Sequence, residues 1–377
     1  MEKINKLILC KLPNEVCNLK CEYCYISQIN EWKNPSTLKY TPKYMAECLS
    51  KKRLGGTALI NLTGEGETLL NPYIVDIVRE FLLQGHFVEV VTNGLLFQKI
   101  EELLNLPEAL VSRLFFKLSF HYKELLRLGK LDLFIDVVNM IKKSKASFTI
   151  ELMAYDGIEK NLKDIQSVCN ENFGAMCHVT VGRNDKDRNK GLLTEHSKEE
   201  YYNIWKTFKS QMFDFKMKVL GIKRKEFCYA GAWSLSINLY TGQAQPCYWQ
   251  PYNQNVFEDI NKPIKFMPVG KGCTLPYCYN AHAHMTWGVI PSLKTPCYCI
   301  MRNRTCSDGS EWLKENCKEF FQTKLEETNK KYTKFNEIFY QVRYPFIFLT
   351  WLCHDFTGVL IRGRKYINRH LRKQNEK

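Results

Sequence analysis

Three cysteines near the start of the chain have the spacing to hold an iron–sulfur cluster. Cys17, Cys21 and Cys24 form a Cys-x3-Cys-x2-Cys triad shortly after residues 7–12, an apolar run that is predicted to be a strand. Four thiolates complete the coordination of a 4Fe–4S cluster, so three of them leave one iron open to another ligand. The alternatives are a zinc site or unrelated buried thiols. Zinc sites usually pair Cys-x2-Cys with a second Cys or His pair, and none lies nearby.

A glycine loop follows the second predicted strand. The apolar run of residues 58–62 leads into Gly64-Glu65-Gly66-Glu67. Because glycine has no side chain, a ligand can approach the backbone of such a loop closely. Glu67 then offers a carboxylate to a cationic group. A glycine turn alone would be weak evidence, since most such turns only connect elements.

Taken together, the two motifs resemble the signatures of the radical S-adenosylmethionine (SAM) enzymes. That family combines the cysteine triad, with an aromatic residue such as Tyr23 before the last cysteine, and a Gly-Gly-Glu-Pro-like loop. The resemblance implies that the open iron chelates the amino and carboxylate groups of SAM, and that Glu67 receives the SAM ammonium group. Thr68 stands where the family usually has proline, which affects the stiffness of the loop more than its chemistry.

The resemblance assigns further residues to the SAM site. Asn93 belongs to a Thr-Asn-Gly loop that is frequent in the family, and Ser119 is predicted to contact the SAM ribose. Tyr23 would pack near the adenine. The complete predicted SAM-binding set is Tyr23, Gly64, Gly66, Glu67, Asn93 and Ser119. His121 is equally consistent with a contact to SAM and with a structural histidine. Asp156 and Arg183 are candidates for contacts to substrate or to the SAM carboxylate, or for solvent-facing loop charges.

Six short apolar runs, which alternate with helical patterns about every 30 residues, predict βα units with parallel strands. The candidate strands are residues 7–12, 57–62, 87–92, 114–120, 147–153 and 177–181. Six units are too few for a closed eight-stranded barrel. We therefore predict an α/β fold, a partial (β/α)6 TIM-type barrel, as the resemblance implies. In βα barrels the ligand-facing residues lie at the C-terminal strand ends, where both motifs fall.

A second group of cysteines follows the predicted barrel. Between Cys228 and Cys247, alternating apolar residues and a turn at residues 240–243 predict a hairpin that would bring these two cysteines together. The pattern resembles the opening of the SPASM and twitch domains, C-terminal extensions of radical SAM enzymes that hold auxiliary 4Fe–4S clusters. Cys273 and Cys278 would complete four thiolates, enough for one such cluster.

The other cysteines do not continue the SPASM pattern. Four of them depart from its spacing, namely Cys297, Cys299, Cys306 and Cys317. Their spacing leaves a second auxiliary cluster in doubt. His282 and His284 could complete an odd cluster, bind substrate, or be ordinary core or surface histidines. Five further cysteines are predicted to be small buried hydrophobic residues: Cys10, Cys48, Cys169, Cys177 and Cys353.

The length of 377 residues allows one large domain and a smaller one. We predict a radical SAM barrel over residues 1–215, a SPASM/twitch-like iron–sulfur domain over residues 216–325 and a helical basic tail over residues 326–377. Sixteen cysteines would suggest disulfides in a small secreted protein. The size, the absence of a recognisable signal peptide and the cluster spacing instead favour reduced thiols in the cytoplasm.

The formal net charge of +15 is concentrated in part at the C-terminus, where residues 362–377 contribute +6. The rest is spread along the chain, so we expect no nucleic-acid partner. Residues 326–334 are predicted to be helical, and Tyr344-Pro345 is predicted to interrupt the structure before the apolar run 346–352. The tail could contact an anionic membrane surface. The favoured interpretation is an apolar segment that docks on the barrel, followed by a solvated basic end.

The resemblance implies an enzyme that cleaves SAM reductively and uses the 5′-deoxyadenosyl radical to remove hydrogen from a substrate. It also implies an electron donor such as flavodoxin or ferredoxin. The predicted reaction is a net oxidation or modification of a peptide or protein residue, with oxidation of a sugar or small alcohol as the alternative. An auxiliary cluster could accept an electron or bind substrate. A different class, a non-catalytic iron–sulfur electron carrier, is disfavoured because a carrier needs no loop like residues 64–67.

Overall fold

A single sheet organises the protein, which a computed structural model describes over residues 1–12, 16–29, 38–187, 189–248, 250–361 and 363–364. Its order within these residues is β6-β5-β4-β3-β2-β1-β7-β8-β9. The strands are β1 (Lys6–Leu12), β2 (Ala58–Gly64), β3 (Phe87–Thr92), β4 (Leu114–Ser119), β5 (Ser147–Ala154), β6 (His178–Val181), β7 (Ser234–Asn238), β8 (Gln243–Gln245) and β9 (Gln254–Asn255). Neighbours from β6 to β7 pair in parallel, and β8 and β9 are antiparallel additions at one edge.

The strands β1 to β6 confirm the prediction of a partial (β/α)6 barrel. Each lies within two residues of its predicted bounds. In the described part of the chain β6 pairs only with β5, so the sheet stays open at that edge. The sequence analysis predicted β7 as an arm of a hairpin, but β7 also pairs in parallel with β1, with Leu7 opposite Ser234. It is therefore a seventh parallel strand.

Side chains alternate between the two faces of the parallel strands, and both faces are buried. Ile8 and Ile60 belong to the core between the sheet and the surrounding helices. Their neighbours Leu7 and Leu59 face the barrel interior and belong to a second core. Burial on both faces is typical of parallel sheets and explains why these strands read as nearly continuous apolar runs.

Helices cover the outer face of the sheet. In α4 the predicted apolar face is buried, and it consists of Ile74, Ile77, Val78, Phe81 and Leu82. The helices are α1 (Tyr25–Ile29), α2 (Pro42–Cys48), α3 (Lys51–Leu54), α4 (Ile74–Leu83), α5 (Phe97–Leu104), α6 (Glu108–Val111), α7 (Tyr122–Arg127), α8 (Leu131–Lys143), α9 (Leu162–Val168), α10 (Lys198–Trp205), α11 (Gln211–Val219), α12 (Ala281–His284), α13 (Tyr298–Arg302), α14 (Glu315–Gln322) and α15 (Lys334–His354).

Residues from the cysteine-rich half of the chain, residues 216–325, close the barrel at the N-terminal ends of its strands. Phe320 of α14 stacks on Phe87 at the start of β3, with ring centroids 3.9 Å apart. Phe321 meets Phe115 of β4 edge to face at 5.0 Å. Such aromatic pairs add to the free energy gained by burying the rings. The sheet and the inner core both continue across the predicted boundary between residues 215 and 216. This boundary stays a prediction.

The structure of residues 325–354 differs from the prediction in two ways. A short 3-10 turn covers Leu325–Glu327 and α15 begins only at Lys334, so the helix predicted over residues 326–334 is wrong. The interruption predicted at Pro345 is also wrong, because α15 continues through it. A proline inside a helix costs about 3 kcal/mol. Packing of Tyr344 and Trp351 against the body of the protein offsets that cost, since the two side chains are 7% and 4% exposed.

Much of the predicted basic tail, Arg362 and residues 365–377, lies outside the described residues. Among the helices that are described, none combines the length and the apolar character needed to cross a membrane.

Candidate active site

The residues predicted to hold the cluster and SAM line one cavity at the C-terminal ends of the strands. The cavity has a volume of about 230 Å³. Its lining includes every residue of the two predicted sets: Cys17, Cys21, Tyr23, Cys24, Gly64, Gly66, Glu67, Asn93 and Ser119. They come together because β1, β2, β3 and β4 run in parallel and end at the same side of the sheet. Their roles toward the cluster and SAM stay predictions.

The cysteine triad lies between β1 and α1 and is partly buried. Burial raises the pKa of Cys17 to about 11 and that of Cys21 to about 12, because a thiolate loses hydration there. Amide groups point at the sulfur of Cys17. The backbone N–H of Leu19 donates to Sγ over 3.4 Å, and Nδ2 of Asn93 lies 4.0 Å from it. Such donors stabilise the thiolates that bind cluster iron.

The spacing of the three sulfur atoms fits a cluster better than a single ion. In a tetrahedral zinc site, with Zn–S bonds of about 2.3 Å, the sulfurs would lie about 3.8 Å apart. Across the described residues, the one group of three possible ligands whose atoms all lie within 4.8 Å of one another is Asp156, Glu159 and His196. At least two sulfurs of the triad therefore lie more than 4.8 Å apart, which is wider than one zinc ion requires and is compatible with ligands to separate irons of a cluster.

Glu67 is tied to the end of β3 through both of its carboxylate oxygens. Oε1 accepts hydrogen bonds from Oγ1 of Thr92 at 2.6 Å and from the N–H of Leu69 at 3.0 Å. Oε2 accepts a hydrogen bond from the N–H of Asn93 at 2.8 Å. Burial raises the pKa of Glu67, and these hydrogen bonds act in the opposite direction. Besides lining the cavity, the carboxylate thus fixes the glycine loop against the neighbouring strand.

Gly66 is required by the loop that carries the cysteine triad, residues 16–24. A Cβ at this position would overlap the carbonyl oxygen of Val16, the residue before the triad. The same region is joined by two backbone hydrogen bonds, from Glu67 to Val16 at 2.9 Å and from Glu65 to Leu12 at 3.1 Å. The backbone of the cysteine loop therefore lies on the side of Gly66 where a Cβ would project, while Gly66 also lines the cavity. Its predicted approach by a ligand stays a prediction.

Tyr23 is enclosed by two rings beside the triad. Its ring centroid lies 4.6 Å from that of Tyr155 and 5.9 Å from that of His121. The Tyr23 hydroxyl is hydrogen-bonded to Nδ1 of His121, which also lies 3.4 Å from the sulfur of Cys21. Burial lowers the pKa of His121 to about 4, so the ring is neutral near pH 7. The histidine therefore orients Tyr23 and contacts the cluster loop.

Residues 12–169 match the family model of the Radical SAM superfamily. This part of the chain is a radical SAM domain. It extends from the end of β1 to just beyond α9 and contains both the cysteine triad and the glycine loop. The protein is thus an enzyme of the radical SAM class, whose cofactors are SAM and a 4Fe–4S cluster.

Several solved structures resemble the chain at low sequence identity. SuiB of Streptococcus suis bound to S-adenosylmethionine is 14% identical, with 70% of this chain and 67% of SuiB covered and a TM-score of 0.48. The anSMEcpe protein with bound AdoMet and Kp18Cys peptide is 14% identical, with coverages of 90% and 97% and a TM-score of 0.48. BtrN in complex with AdoMet and 2-DOIA is 16% identical, with coverages of 69% and 81% and a TM-score of 0.37. These values are too low to transfer residue roles or substrates. No curated protein matches the chain.

A larger cavity continues from the predicted SAM site into the interior of the radical SAM barrel. Its volume is about 620 Å³. The two cavities share Ser119, His121 and Arg183 among their lining residues. Asp156 lines neither cavity, and its Oδ2 accepts a hydrogen bond from the N–H of Glu195 at 2.7 Å. Of the two loop charges considered in the sequence analysis, only Arg183 therefore lies where SAM and substrate could meet.

A buried ion-pair group crosses the interior cavity. Glu151 of β5 pairs with Arg302 of α13 and with Lys117 of β4, the latter at 3.2 Å. Burial acts to raise the pKa of Glu151, but the two cations outweigh it and lower the pKa to about 2. The sequence analysis missed these residues. The available signal was a charge at an inward-facing position of an otherwise apolar strand.

Lys216 of α11 adds another cation to this cavity. Its ammonium group donates a hydrogen bond to Oγ1 of Thr180. Burial, with a smaller contribution from the charge of Arg183, lowers the pKa of Lys216 to about 7. His282, left open in the sequence analysis, lines the same cavity, and burial together with nearby cations holds its pKa well below the usual value. His284 is 2% exposed and does not line it.

The four cysteines predicted to hold an auxiliary cluster are gathered at the start of β7. Cys228 precedes β7 and Cys247 follows β8, and the antiparallel pairing of the two strands forms the predicted hairpin. Burial raises the pKa of Cys247, and the charges of Cys228, Cys278 and Cys273 raise it further, so all four thiols lie within electrostatic range of one another. This site is at the opposite end of the parallel strands from the triad. Ligation of a cluster by these residues stays a prediction.

Among the remaining cysteines, Cys297 is hydrogen-bonded to Cys299 and Cys169 to Cys177. Cys306 and Cys317 each donate to a barrel carbonyl over 3.6 Å, Cys306 to Phe173 and Cys317 to Ser112. Four of the five predicted buried thiols are buried, namely Cys10, Cys48, Cys169 and Cys177. Cys353 is exposed, so that prediction is wrong. It lies on α15, which packs on the protein through only one face.

Proposed function

We propose that Cys17, Cys21 and Cys24 hold the cluster that cleaves SAM, and that the substrate binds in the interior cavity. When bound, such a cluster would supply the electron that splits SAM into methionine and a 5′-deoxyadenosyl radical, and this radical would take a hydrogen atom from the substrate. The observation that carries this proposal is the continuity of the two cavities. The motif residues line the first cavity, and the second leads from it into the barrel.

The protein's own residues position the reactants in this mechanism. Glu67 and Asn93 hold the glycine loop and the end of β3 around the predicted SAM site. Ser119 and Arg183 line both cavities, which supports contacts from these two residues to SAM and to substrate. The buried barrel walls exclude water, which protects a reactive radical and keeps the two reactants in line. A small reducing protein such as a flavodoxin or ferredoxin would supply the electron.

The charge of the interior cavity supports a substrate with an anionic group. Among its described lining residues are six cationic side chains and four carboxylates. Two pairs are local, since Lys11 binds Glu65 at 2.8 Å and Lys190 binds Asp185 at 2.8 Å. Lys117, Arg183 and Arg302 then face Glu89 and Glu151. Lys216 adds a partial positive charge near pH 7, because its pKa is about 7. A bound carboxylate or phosphate would balance this excess.

We propose net oxidation or modification of a peptide or protein residue as the reaction, with an acidic group of the peptide in the cationic part of the cavity. Oxidation of a sugar or small alcohol is the second candidate, and the cavity charge favours a phosphorylated sugar within that class. Incubating the reduced protein with SAM and paired substrates that differ only in an acidic group would test the anionic requirement. Equal conversion of the neutral and acidic members would contradict it.

The proposal for the triad is tested by the variant C17A/C21A/C24A. The wild-type protein, reconstituted without oxygen and reduced with dithionite, should form 5′-deoxyadenosine from SAM, and the variant should form none above background because its cluster has no ligands. Chromatography of the products measures both. Cys353→Ala is the matched control, since this thiol is exposed and far along the sequence. Normal cleavage by the triple variant would refute the assignment.

Binding of SAM separates the enzyme from an electron carrier. The reconstituted protein should bind SAM in calorimetry, and binding should be lost in the triple variant. A protein that holds iron–sulfur clusters but binds no SAM would instead be a carrier.

A further inference from the structure

Helix α15 presents a continuous apolar stripe to the solvent. Six large side chains on one face are more than half exposed: Phe335 75%, Ile338 65%, Phe339 55%, Val342 69%, Phe346 73% and Leu349 55%. Their spacing of three and four residues places them along one side of the helix. Phe356, Leu360 and Ile361 continue the exposed apolar surface beyond the end of α15, at 63%, 56% and 53% exposure. An apolar surface of this extent marks an interaction site.

The opposite face of α15 already anchors the helix to the protein. Tyr344 and Trp351 are buried there. The hydroxyl of Tyr340 donates to the carbonyl oxygen of Pro268 at 2.6 Å, and Glu337 accepts a hydrogen bond from the hydroxyl of Tyr229 at 3.1 Å. The docking that the sequence analysis favoured thus uses only this aromatic and polar face. The apolar stripe points away from the body.

The charges around the stripe are suited to an anionic surface. Residues 334–361 contain two acidic side chains, Glu337 and Asp355, and both are engaged with the body of the protein. The cations of the same segment, Lys334 and Arg343, are exposed. Residues 362–377 then add seven Lys or Arg residues and one Glu, a net charge of +6.

We propose that α15 binds the surface of an anionic membrane. Its apolar stripe would enter the boundary between headgroups and acyl chains, and the net charge of +6 that the sequence gives to residues 362–377 would attract the protein to acidic headgroups. An amphipathic helix with aromatic and aliphatic side chains on one face and positive charge nearby binds such surfaces in two ways. Its apolar side chains are buried in the membrane, and its charge is attracted to anionic lipids. The helix remains anchored to the cysteine-rich half through Tyr340, Tyr344 and Trp351. This inference does not depend on the proposed reaction.

Sedimentation with lipid vesicles tests the proposal on the full-length holoprotein. Vesicles of phosphatidylcholine mixed with phosphatidylglycerol should bind the protein at least about tenfold more tightly than vesicles of phosphatidylcholine alone. Added salt should weaken the difference, because it screens the basic segment. Equal, salt-independent binding to both vesicle types, or no binding to either, would overturn the proposal.

Two sets of variants test the residues. The variant F339S/F346S should lose at least about tenfold in binding to anionic vesicles because it removes two rings from the stripe. L83S/L126S, which removes exposed apolar side chains from α4 and α7, is the matched control and should bind like the wild type. R369Q/R372Q/K373Q should lose the preference for anionic vesicles. Circular dichroism checks that each variant is folded.

A second copy of the chain is the competing occupant of the stripe. Light scattering without lipid should show that the wild type and F339S/F346S have the same mass. If the wild type self-associates, F339S/F346S does not and neither binds vesicles, then a second copy covers α15 and the membrane proposal is wrong.

Discussion

The glycine at position 66 joins the two signature motifs physically. Its lack of a side chain lets the backbone of Val16 lie against it, and the N–H of Glu67 donates to the carbonyl of Val16 at 2.9 Å. The cysteine loop therefore takes its position from the glycine loop. A change at this residue acts on the cysteine loop before it acts on any ligand in the cavity.

We expect Gly66→Ala to displace the cluster loop. The new methyl group would overlap Val16, so the reconstituted variant should lose about four iron atoms per chain, those of the proposed SAM cluster, together with SAM binding. Iron analysis and calorimetry measure the two effects. Gly129→Ala is the control, because nothing lies within 4 Å of its added Cβ and its positive φ costs only about 1 kcal/mol. Full iron content and SAM affinity in Gly66→Ala would show that the loop tolerates the displacement.

The β7–β8 hairpin is the element that assembles the four-cysteine site. Its two strands are short, but β7 is supported on its other side by β1. This support fixes Cys228 and Cys247 at the start of β7, where Cys273 and Cys278 meet them. The hairpin thus makes the second proposed cluster site part of the barrel sheet.

We expect one auxiliary cluster at this site. The reconstituted wild type should contain about eight iron atoms per chain, and C228A/C247A about four. The matched control is Cys306→Ala, which removes a buried thiol that donates to the carbonyl oxygen of Phe173 and should leave the iron content unchanged. About twelve iron atoms in the wild type would reveal a third cluster. About four would show that the C-terminal cysteines hold none.

The elements of the barrel could be predicted because their signals are local. Parallel strands buried on both faces read as apolar runs, so the bounds of β1 to β6 were predicted to within two residues. Ligand-facing residues of βα barrels lie at the C-terminal strand ends, and this rule grouped the residues of the predicted SAM site. The pairing of β7 with β1 joins residues more than 200 positions apart, and no local pattern encodes it. Continuation of α15 through Pro345 likewise depends on packing of Tyr344 and Trp351 with distant residues.

At the scale of the whole molecule, the ion pairs of Glu151 hold the two halves together. Glu151 and Lys117 belong to the barrel, whereas Arg302 comes from α13 of the cysteine-rich half. Glu151 and Arg302 are 7% and 1% exposed. The charges themselves were visible in the sequence, but which buried charges meet across the barrel could not be predicted, since this depends on how the distant half packs.

We expect Glu151→Gln to destabilise the protein by about 3–5 kcal/mol at neutral pH, because Arg302 stays buried without its counter-ion. The pKa of Glu151 is about 2 in the folded protein and lies near 4.5 when unperturbed, so its contribution is complete above about pH 4.5 and is lost as the pH falls toward 2. The difference between wild type and variant in denaturant unfolding should therefore shrink on acidification.

The matched control is Glu108→Gln. Glu108 pairs with Lys145 at 3.2 Å, but the two side chains are 72% and 62% exposed, so its loss should change stability little. A Glu151→Gln variant as stable as this control at neutral pH would show that the buried pairs contribute no net stability.

The parallel alignment of β1 and β7 also sets the distance that an electron would travel. The triad lies beyond the C-terminal end of β1, and the four-cysteine site lies at the start of β7. With both proposed clusters bound, the seven residues of β1, which rise about 3.3 Å each, would lie between them. Tunnelling rates fall exponentially with distance. Because β7 is hydrogen-bonded on both sides and cannot stretch, the rate of exchange between the two redox centres would be set by strand length and not by domain motion.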